Sequence, residues 1–128
     1  YGPYESYSDK HRASWVDRFD TTVDDMFEDY VFPQENGSHY NCQYASVGNL
    51  YAKGKKPFSF QASRYSEKEL DEKAHNFELV PSDGIYVALD YKQSGIGSNS
   101  CGPRLAEKYQ IREEKIEWEI SLRFDNKN

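Results

Sequence analysis

The segment KIEWEISLRF, residues 115–124, decides the fold class because apolar side chains alternate with charged or polar ones along it. One face of the segment carries Ile116, Trp118, Ile120, Leu122 and Phe124. A period of two residues indicates a strand with one buried face. Burial of a single face is typical of antiparallel sheets. We therefore predict an antiparallel strand over residues 115–124.

The same alternation recurs in other segments. It is present in YNCQYASVG (40–48), PFSFQASRY (57–65) and IYVALDY (85–91), and HNFELV (75–80) is also interpreted as a strand. Between the first two strands, AKGKKP (52–57) contains a glycine, a proline and three lysines, a composition that predicts a polar loop.

Helical and turn signals are few. SEKELDEKAH (66–75) predicts a surface helix, because Ser66 and Glu69 have the spacing of a reciprocal capping box. TTVDDMFEDY (21–30) predicts a single helical turn with Thr22 as its N-cap. FPQENG (32–37) predicts a turn, and its Asn-Gly pair is a hairpin signal.

Together these elements predict an all-β protein, an antiparallel β-sandwich with one short surface helix. The 128 residues fit one domain, which we take to span residues 1–128.

Composition excludes two classes of partner. The net charge is −6 and the basic residues are scattered, whereas a nucleic-acid-binding protein normally carries a basic face that neutralises phosphates. No apolar run approaches the roughly 20 residues that a membrane span requires. Aromatic residues make up 16% of the chain, and their rings can fill a core despite the mean hydropathy of −0.97. We expect a folded domain that binds neither nucleic acid nor membrane.

The segment GIGSNSCGP (95–103) contains three glycines, a proline and a thiol. A dinucleotide-binding loop has a third glycine at the position that Ser100 occupies here. Such a loop also leads directly into a helix, and Pro103 stands where that helix should start. Cys101 has no C-x-x-C partner to lower its thiol pKa. Cys42 and Cys101 are too few for a disulfide scaffold. They could pair in an oxidising compartment, but we favour two free thiols in a reducing cytosol. The loop is thus predicted to shape a surface rather than to bind phosphate or transfer electrons.

Catalytic and metal-binding candidates are weak at the level of the sequence. His11, His39 and His75 stand in unrelated segments, and no two His or Cys residues have zinc-ligand spacing. Carboxylates are abundant, 22 of 128 residues, so spacing alone cannot select a glycosidase-like pair among them. We predict no catalytic residue, no metal ligand and no cofactor in this chain.

Four blocks taken together resemble the C-terminal part of the β-galactosidases of glycoside hydrolase family 2. They are YGPYESYSDKHRASWVDRFD (1–20), YVFPQENG (30–37), FSFQASRYSEKELDEKAHNFEL (58–79) and YVALDYKQSGIGSNSCGP (86–103). The resemblance implies that residues 1–128 are the C-terminal portion of the enzyme's last domain, a sandwich similar to the galactose-mutarotase supersandwich. It places the two catalytic glutamates, and most magnesium and sodium ligands, in a preceding TIM-barrel domain.

The resemblance also assigns a role to the glycine-rich loop, which in the family reaches the mouth of the active site. One branch of the family carries there a tryptophan that stacks on the bound sugar. The matching residue here is Cys101, whose thiol is small and offers no aromatic platform. Cys101, Asn99 and Ser100 are therefore the expected substrate-binding residues, as part of the wall near the leaving-group sugar.

The function implied is that of a structural segment of a retaining, cytoplasmic β-galactosidase, inactive alone and lining the rim of the active site. Its expected partners are the rest of the enzyme, the galactoside substrate and, through uncovered apolar surface, a second copy of itself. Two alternatives stay open: a free-standing carbohydrate-binding β module and a domain that serves subunit assembly.

Overall fold

A computed structural model describes residues 1–97 and 102–126. Its strands are β1 (His39–Val47), β2 (Leu50–Ser63), β3 (Tyr86–Asp90) and β4 (Ile120–Phe124). The helix α1 spans Glu67–Glu72, and three single 3-10 turns span Asp24–Met26, Asn76–Glu78 and Glu107–Tyr109.

All strand pairing is antiparallel and centres on β2. β1 pairs along one edge of β2, and β3 and β4 pair along its other edge at opposite ends, β3 with residues 59–63 and β4 with residues 50–54. The described residues therefore form one open four-stranded sheet. The prediction of an antiparallel all-β fold with one short helix is confirmed.

The β1–β2 hairpin closes at Gly48–Asn49, between the paired residues Val47 and Leu50. Gly48 has a φ of 58°, as the tight turns of two-residue hairpins require. The hairpin signal at Asn36–Gly37 was wrong, because no described strand precedes it. That pair instead forms a buried corner in which Gly37 has a φ of 70°.

The predicted polar loop at residues 52–57 is wrong, because the segment lies inside β2. The pairing explains the composition. Cys42 pairs with Phe58 and Tyr44 with Lys53, so the register jumps and four residues of β2 have no partner in β1. Pro57 lies within this irregularity, where no ladder hydrogen bond is required of its missing N–H.

Two further strand predictions need correction. Residues 75–80 are not a strand. They contain the 3-10 turn, which two reciprocal hydrogen bonds close: the Glu78 carboxylate accepts from the His75 N–H at 2.9 Å, and the Glu78 N–H donates to the His75 carbonyl oxygen at 3.0 Å. The strand predicted over 115–124 begins only at Ile120. Ile116 is 47% exposed and lies outside the sheet.

The helix predicted over 66–75 is present as the shorter α1. Ser66 accepts a hydrogen bond from the Glu69 N–H at 3.0 Å, as the capping box requires. The Glu69 carboxylate does not complete the box. It accepts a hydrogen bond from the Val80 N–H at 3.0 Å and so ties the helix to the segment before β3. The helical turn predicted within 21–30 is confirmed as the 3-10 turn Asp24–Met26, but its N-cap is Val23 and not Thr22. Thr22 Oγ1 still accepts a hydrogen bond from the Asp25 N–H at 3.1 Å.

The core of the sheet is small. Phe58, 1% exposed, packs with Ala45 and Ala52, and the partly buried Trp118 and Ile120 pack against this cluster. The long irregular segment before β1 supplies further buried residues. They are Glu5, Ser6, Tyr7, Met26, Asn36 and Ser38. This segment carries the groups that fix the glycine-rich loop.

Candidate functional site

The predicted site residues Asn99, Ser100 and Cys101 lie outside the described residues. Their assignment to a substrate wall stays a prediction. The structure describes both flanks of their loop, residues 95–97 and residues 102–103. The contacts of the first flank show how the loop is mounted on the sheet.

The first flank is held by one carboxylate. Asp9 Oδ1 accepts a hydrogen bond from the Ile96 N–H at 2.9 Å, and Asp9 Oδ2 accepts one from the Gly97 N–H at 3.0 Å. Successive backbone N–H groups that converge in this way form a concave site for an anion. Here the anion is a side chain 87 and 88 residues away in the sequence. We call this arrangement the Asp9 clasp.

Asp9 itself stands on a narrow hairpin. Tyr7 and Lys10 exchange both backbone hydrogen bonds, at 2.8 and 3.0 Å, and leave Ser8 and Asp9 at the tip. The base of the hairpin is fixed to the start of β1, because the Ser6 N–H donates to the Ser38 carbonyl oxygen at 2.7 Å. Ser6 Oγ also accepts from the Tyr40 N–H at 2.9 Å.

A second contact ties the chain after β3 to the same corner. Ser38 Oγ donates a hydrogen bond to Gln93 Oε1 at 3.1 Å, and Gln93 Nε2 donates to the Glu35 carboxylate. Ser38 is fully buried. Residues 35 to 38 thus contact both the base of the Asp9 hairpin and the chain that leads into the loop.

Glu5 forms a buried polar cluster under this corner, which we call the Glu5 cluster. The Glu5 side chain is only 2% exposed. Its carboxylate accepts hydrogen bonds from Lys10 Nζ, from the hydroxyls of Tyr30 and Tyr7, and from the Gly37 N–H at 2.8 Å. These four donors satisfy the carboxylate oxygens, which would be costly to bury without hydrogen-bond partners.

The electrostatics of the cluster follow from this arrangement. Burial, and then the negative charge of Glu5, raise the pKa of Tyr7 well above its usual value. Burial and the hydrogen bond to Glu5 likewise raise the pKa of Tyr30. For Lys10, burial lowers the pKa, but the hydrogen bonds to Glu5 and Tyr30 outweigh it and the net pKa is raised. The lysine is therefore charged and both phenols are neutral near pH 7.

Among the described residues, Glu35 and Asp90 are the carboxyl groups whose pKa is raised. Burial raises the pKa of Glu35, against the hydrogen bond from Gln93. Burial, and then the charge of Glu67, raise the pKa of Asp90. Glu35 borders an open groove of about 940 Å³ that Gln61 and Glu67 also line. Ligand sites are mostly enclosed and apolar with a few polar groups, so we assign no substrate to this open acidic groove.

Among residues 1–97 and 102–126, no group of three or more His, Cys, Asp or Glu side chains is arranged to hold a metal ion. Within the same ranges, no helix is long and apolar enough to cross a membrane.

The residues that mount the loop were not identified from the sequence. The sequence does not distinguish Asp9 or Gln93 from other polar residues, and Glu5 is one of its 22 acidic residues. The available signal was the position of Asp9 at the tip of a short turn-rich block, YESYSDK. That signal does not indicate which distant backbone the carboxylate binds.

Comparison with known proteins identifies relatives along the whole chain. The sequence model of the β-galactosidase small-chain family matches residues 1–124. A β-galactosidase of Actinobacillus pleuropneumoniae is 47% identical over 125 residues, which cover 98% of this chain and 12% of the relative. A β-galactosidase of Staphylococcus xylosus is 42% identical over 127 residues, which cover 96% of this chain and 13% of the relative. A β-galactosidase of Kluyveromyces lactis is 34% identical over 130 residues, which cover 97% of this chain and 12% of the relative. The chain thus spans about an eighth of the length of these curated relatives.

Proposed function

The chain belongs to the β-galactosidase small-chain family, and on that premise we propose that it is the C-terminal β segment of a retaining β-galactosidase. The complete enzyme would hydrolyse terminal non-reducing β-D-galactosides such as lactose, in the cytoplasm. The observation that carries the proposal is the match along residues 1–124 to proteins of which this chain spans 12%. The catalytic glutamates and the magnesium and sodium sites are then assigned to the remaining polypeptide, in a TIM-barrel domain.

A partly uncovered apolar face of the sheet supports a partner of this kind. Residues paired across strands lie side by side on the same face. Leu122 pairs with the buried Ala52, and Phe124 pairs with Leu50, yet Leu122 is 52% and Phe124 is 63% exposed. We assign this face to the remaining strands of a galactose-mutarotase-like supersandwich in the full-length enzyme. Self-association of the isolated chain through the same face would then be a consequence of their removal.

The isolated chain is expected to be inactive. Calorimetric titration with galactose and lactose should give no saturable binding, and a chromogenic β-galactoside should not be turned over, because the catalytic glutamates and the rest of the sugar-binding site lie in the remainder of the enzyme. Saturable binding without turnover would favour a free-standing carbohydrate-binding module. Binding of the barrel-bearing polypeptide with no effect on catalysis would favour a pure assembly domain.

The loop at 95–103 is proposed to line the rim of the active site through Cys101, Asn99 and Ser100. In the full-length enzyme, Cys101→Trp should lower KM for lactose about threefold to tenfold and raise transglycosylation, because an indole adds an aromatic platform for the leaving-group sugar. The measurement is steady-state kinetics with product analysis. Tyr51→Trp, which enlarges an exposed ring on the sheet, is the matched control and should change neither quantity. If KM for lactose and transglycosylation were unaltered in Cys101→Trp, the proposed role of the loop at the rim of the active site would be wrong.

A further inference from the structure

The Asp9 clasp joins two parts of the chain that the sequence separates widely. Both oxygens of one half-buried carboxylate are engaged, and both partners are consecutive amides of the loop flank. Hydrogen bonds in which the acceptor is charged are roughly twice as strong as neutral ones. The clasp therefore fixes the backbone of Ile96 and Gly97 against Asp9.

The glycines of the loop flank fit the carboxylate. A Cβ on Gly95 would fall far inside van der Waals contact with the carboxylate group of Asp9. A Cβ on Gly97 would lie 3.1 Å from Asp9 Oδ2, which is also tight. Gly95 therefore allows the close approach of backbone and carboxylate. The two glycines of Gly95-Ile96-Gly97 are thus explained by their contact with the Asp9 carboxylate, without any need for phosphate binding.

The mount of the clasp is rigid compared with an ordinary surface contact. The hairpin that carries Asp9 is tied to the Ser38 backbone through Ser6, and Gln93 is tied to the Ser38 hydroxyl. Ser6 and Ser38 are both fully buried. A shift of Asp9 relative to the loop would thus require a shift of the buried corner beneath both of them.

We infer that Asp9 is a positioning residue that determines selectivity for the leaving group of the β-galactoside. This inference rests on the proposed function, in which the loop borders the active site. Asp9 contacts no substrate. It holds the backbone of Ile96 and Gly97, and through this backbone it sets how far the loop narrows the leaving-group side of the site.

The test uses the full-length enzyme with Asp9→Asn, an isosteric change that replaces one acceptor by a donor facing an N–H group. Peptide-resolved hydrogen exchange should show the amides of Ile96 and Gly97 exchanging about tenfold faster or more, the factor expected on losing a hydrogen bond to a charged group. The ratio of kcat/KM for lactose to that for a nitrophenyl galactoside should change about threefold to tenfold, because these substrates share galactose and differ in the leaving group. Inhibition by free galactose should stay unchanged.

Asp17→Asn is the matched control. Asp17 is an exposed aspartate of the same segment whose Oδ1 accepts from the neighbouring Arg18 N–H, and no described contact joins it to the loop. This variant should keep the wild-type exchange rates and the wild-type substrate ratio. A general effect of removing one negative charge from the segment would appear in both variants.

A double-mutant cycle isolates the contact between the carboxylate and the glycine. Gly95→Ala alone should displace the carboxylate and change the substrate ratio as Asp9→Ala does. The double variant should be little worse than either single variant, because the added methyl group then occupies the space left by the carboxylate. Residues in direct contact show such non-additivity, whereas independent sites give additive effects. Additive effects on the ratio would contradict the inference.

The outcomes separate this inference from the proposed function. Unchanged exchange at Ile96 and Gly97 in Asp9→Asn would overturn the inference. Faster exchange with an unchanged substrate ratio would also overturn it, and the proposed function would stand if Cys101→Trp still altered KM for lactose. If neither Asp9→Asn nor Cys101→Trp altered leaving-group selectivity, the rim role itself would fail, and the inference with it.

Discussion

Phe58→Ala is expected to lower the free energy of unfolding of this chain by about 3–5 kcal/mol, the range for removing a buried phenylalanine ring. Phe58 is 1% exposed and lies at the centre of the only apolar cluster in the described residues, with Ala45 and Ala52. Its two buried neighbours in the cluster are alanines, whose methyl groups cannot extend into the space that the ring would leave. The cost therefore includes an unfilled cavity as well as the lost transfer free energy.

The measurement is urea unfolding of the 128-residue chain followed by tryptophan fluorescence, for which Trp118 beside the cluster is a suitable reporter. Phe77→Ala is the matched control, since the same ring is removed from a side chain that is 86% exposed. Surface substitutions of this kind usually change stability by about 0.5 kcal/mol or less. Equal losses for the two variants would mean that Phe58 does not anchor the core.

The strands that could be predicted from the sequence are those that pair with β2 from end to end and bury one of their two faces. The predictions at 40–48 and 85–91 agree with β1 and β3 to within one residue at each end. The prediction at 115–124 was too long because alternation alone does not make a strand. Lys115 and Glu117 form an exposed ion pair at 2.6 Å, and β2 pairs only with Ile120 and the residues after it.

At residues 75–80, local hydrogen bonds produce a 3-10 turn in place of the strand that the composition predicts. HNFELV has the aromatic and aliphatic composition of a strand, but Phe77 is exposed and contributes nothing to the core. Its backbone is instead organised by the reciprocal hydrogen bonds of His75 and Glu78. Polar side chains that bond to nearby backbone groups compete with sheet formation. A His-x-x-Glu spacing was the available signal for this turn.

The mounting of the site could not be predicted for a different reason. The Asp9 clasp joins residues 87 and 88 positions apart, and the Glu5 cluster includes contacts to Tyr30 and Gly37, which are 25 and 32 positions from Glu5. Such contacts leave no periodic trace, and one aspartate in an acidic chain resembles any other. The resemblance to a family located the loop, whereas only the three-dimensional arrangement identifies the side chains that hold it.

Glu5→Ala is expected to destabilise the chain by about 2–6 kcal/mol, because it leaves two buried donors unsatisfied at about 1–3 kcal/mol each. The loss leaves the Tyr7 hydroxyl and the Gly37 N–H without their acceptor inside the protein. Lys10 is half exposed and can return to water, so most of the cost arises from the buried donors. Because Gly37 belongs to the corner that carries Ser38, the loop mount should loosen as well.

Glu5→Gln tests whether the charge or only the acceptor is required. The amide keeps one oxygen for the Gly37 N–H but places an NH₂ group among donors from Lys10, Tyr30 and Tyr7, so it should recover less than half of the loss. Glu117→Ala is the matched control, because its partner Lys115 is 81% exposed and its own side chain 78% exposed. Exposed pairs of this kind contribute about 0–1 kcal/mol.

Urea unfolding of the three variants, with the same fluorescence signal, ranks them directly. The expected order of destabilisation is Glu5→Ala first, Glu5→Gln second and Glu117→Ala last. If Glu5→Ala and Glu117→Ala lost the same free energy, the buried carboxylate would be dispensable, and the rigidity of the corner would have to come from the Ser6–Ser38 contacts alone. If Glu5→Gln matched the wild type, its four donors would need an acceptor oxygen but no negative charge, and a neutral side chain would suffice to hold the loop in place.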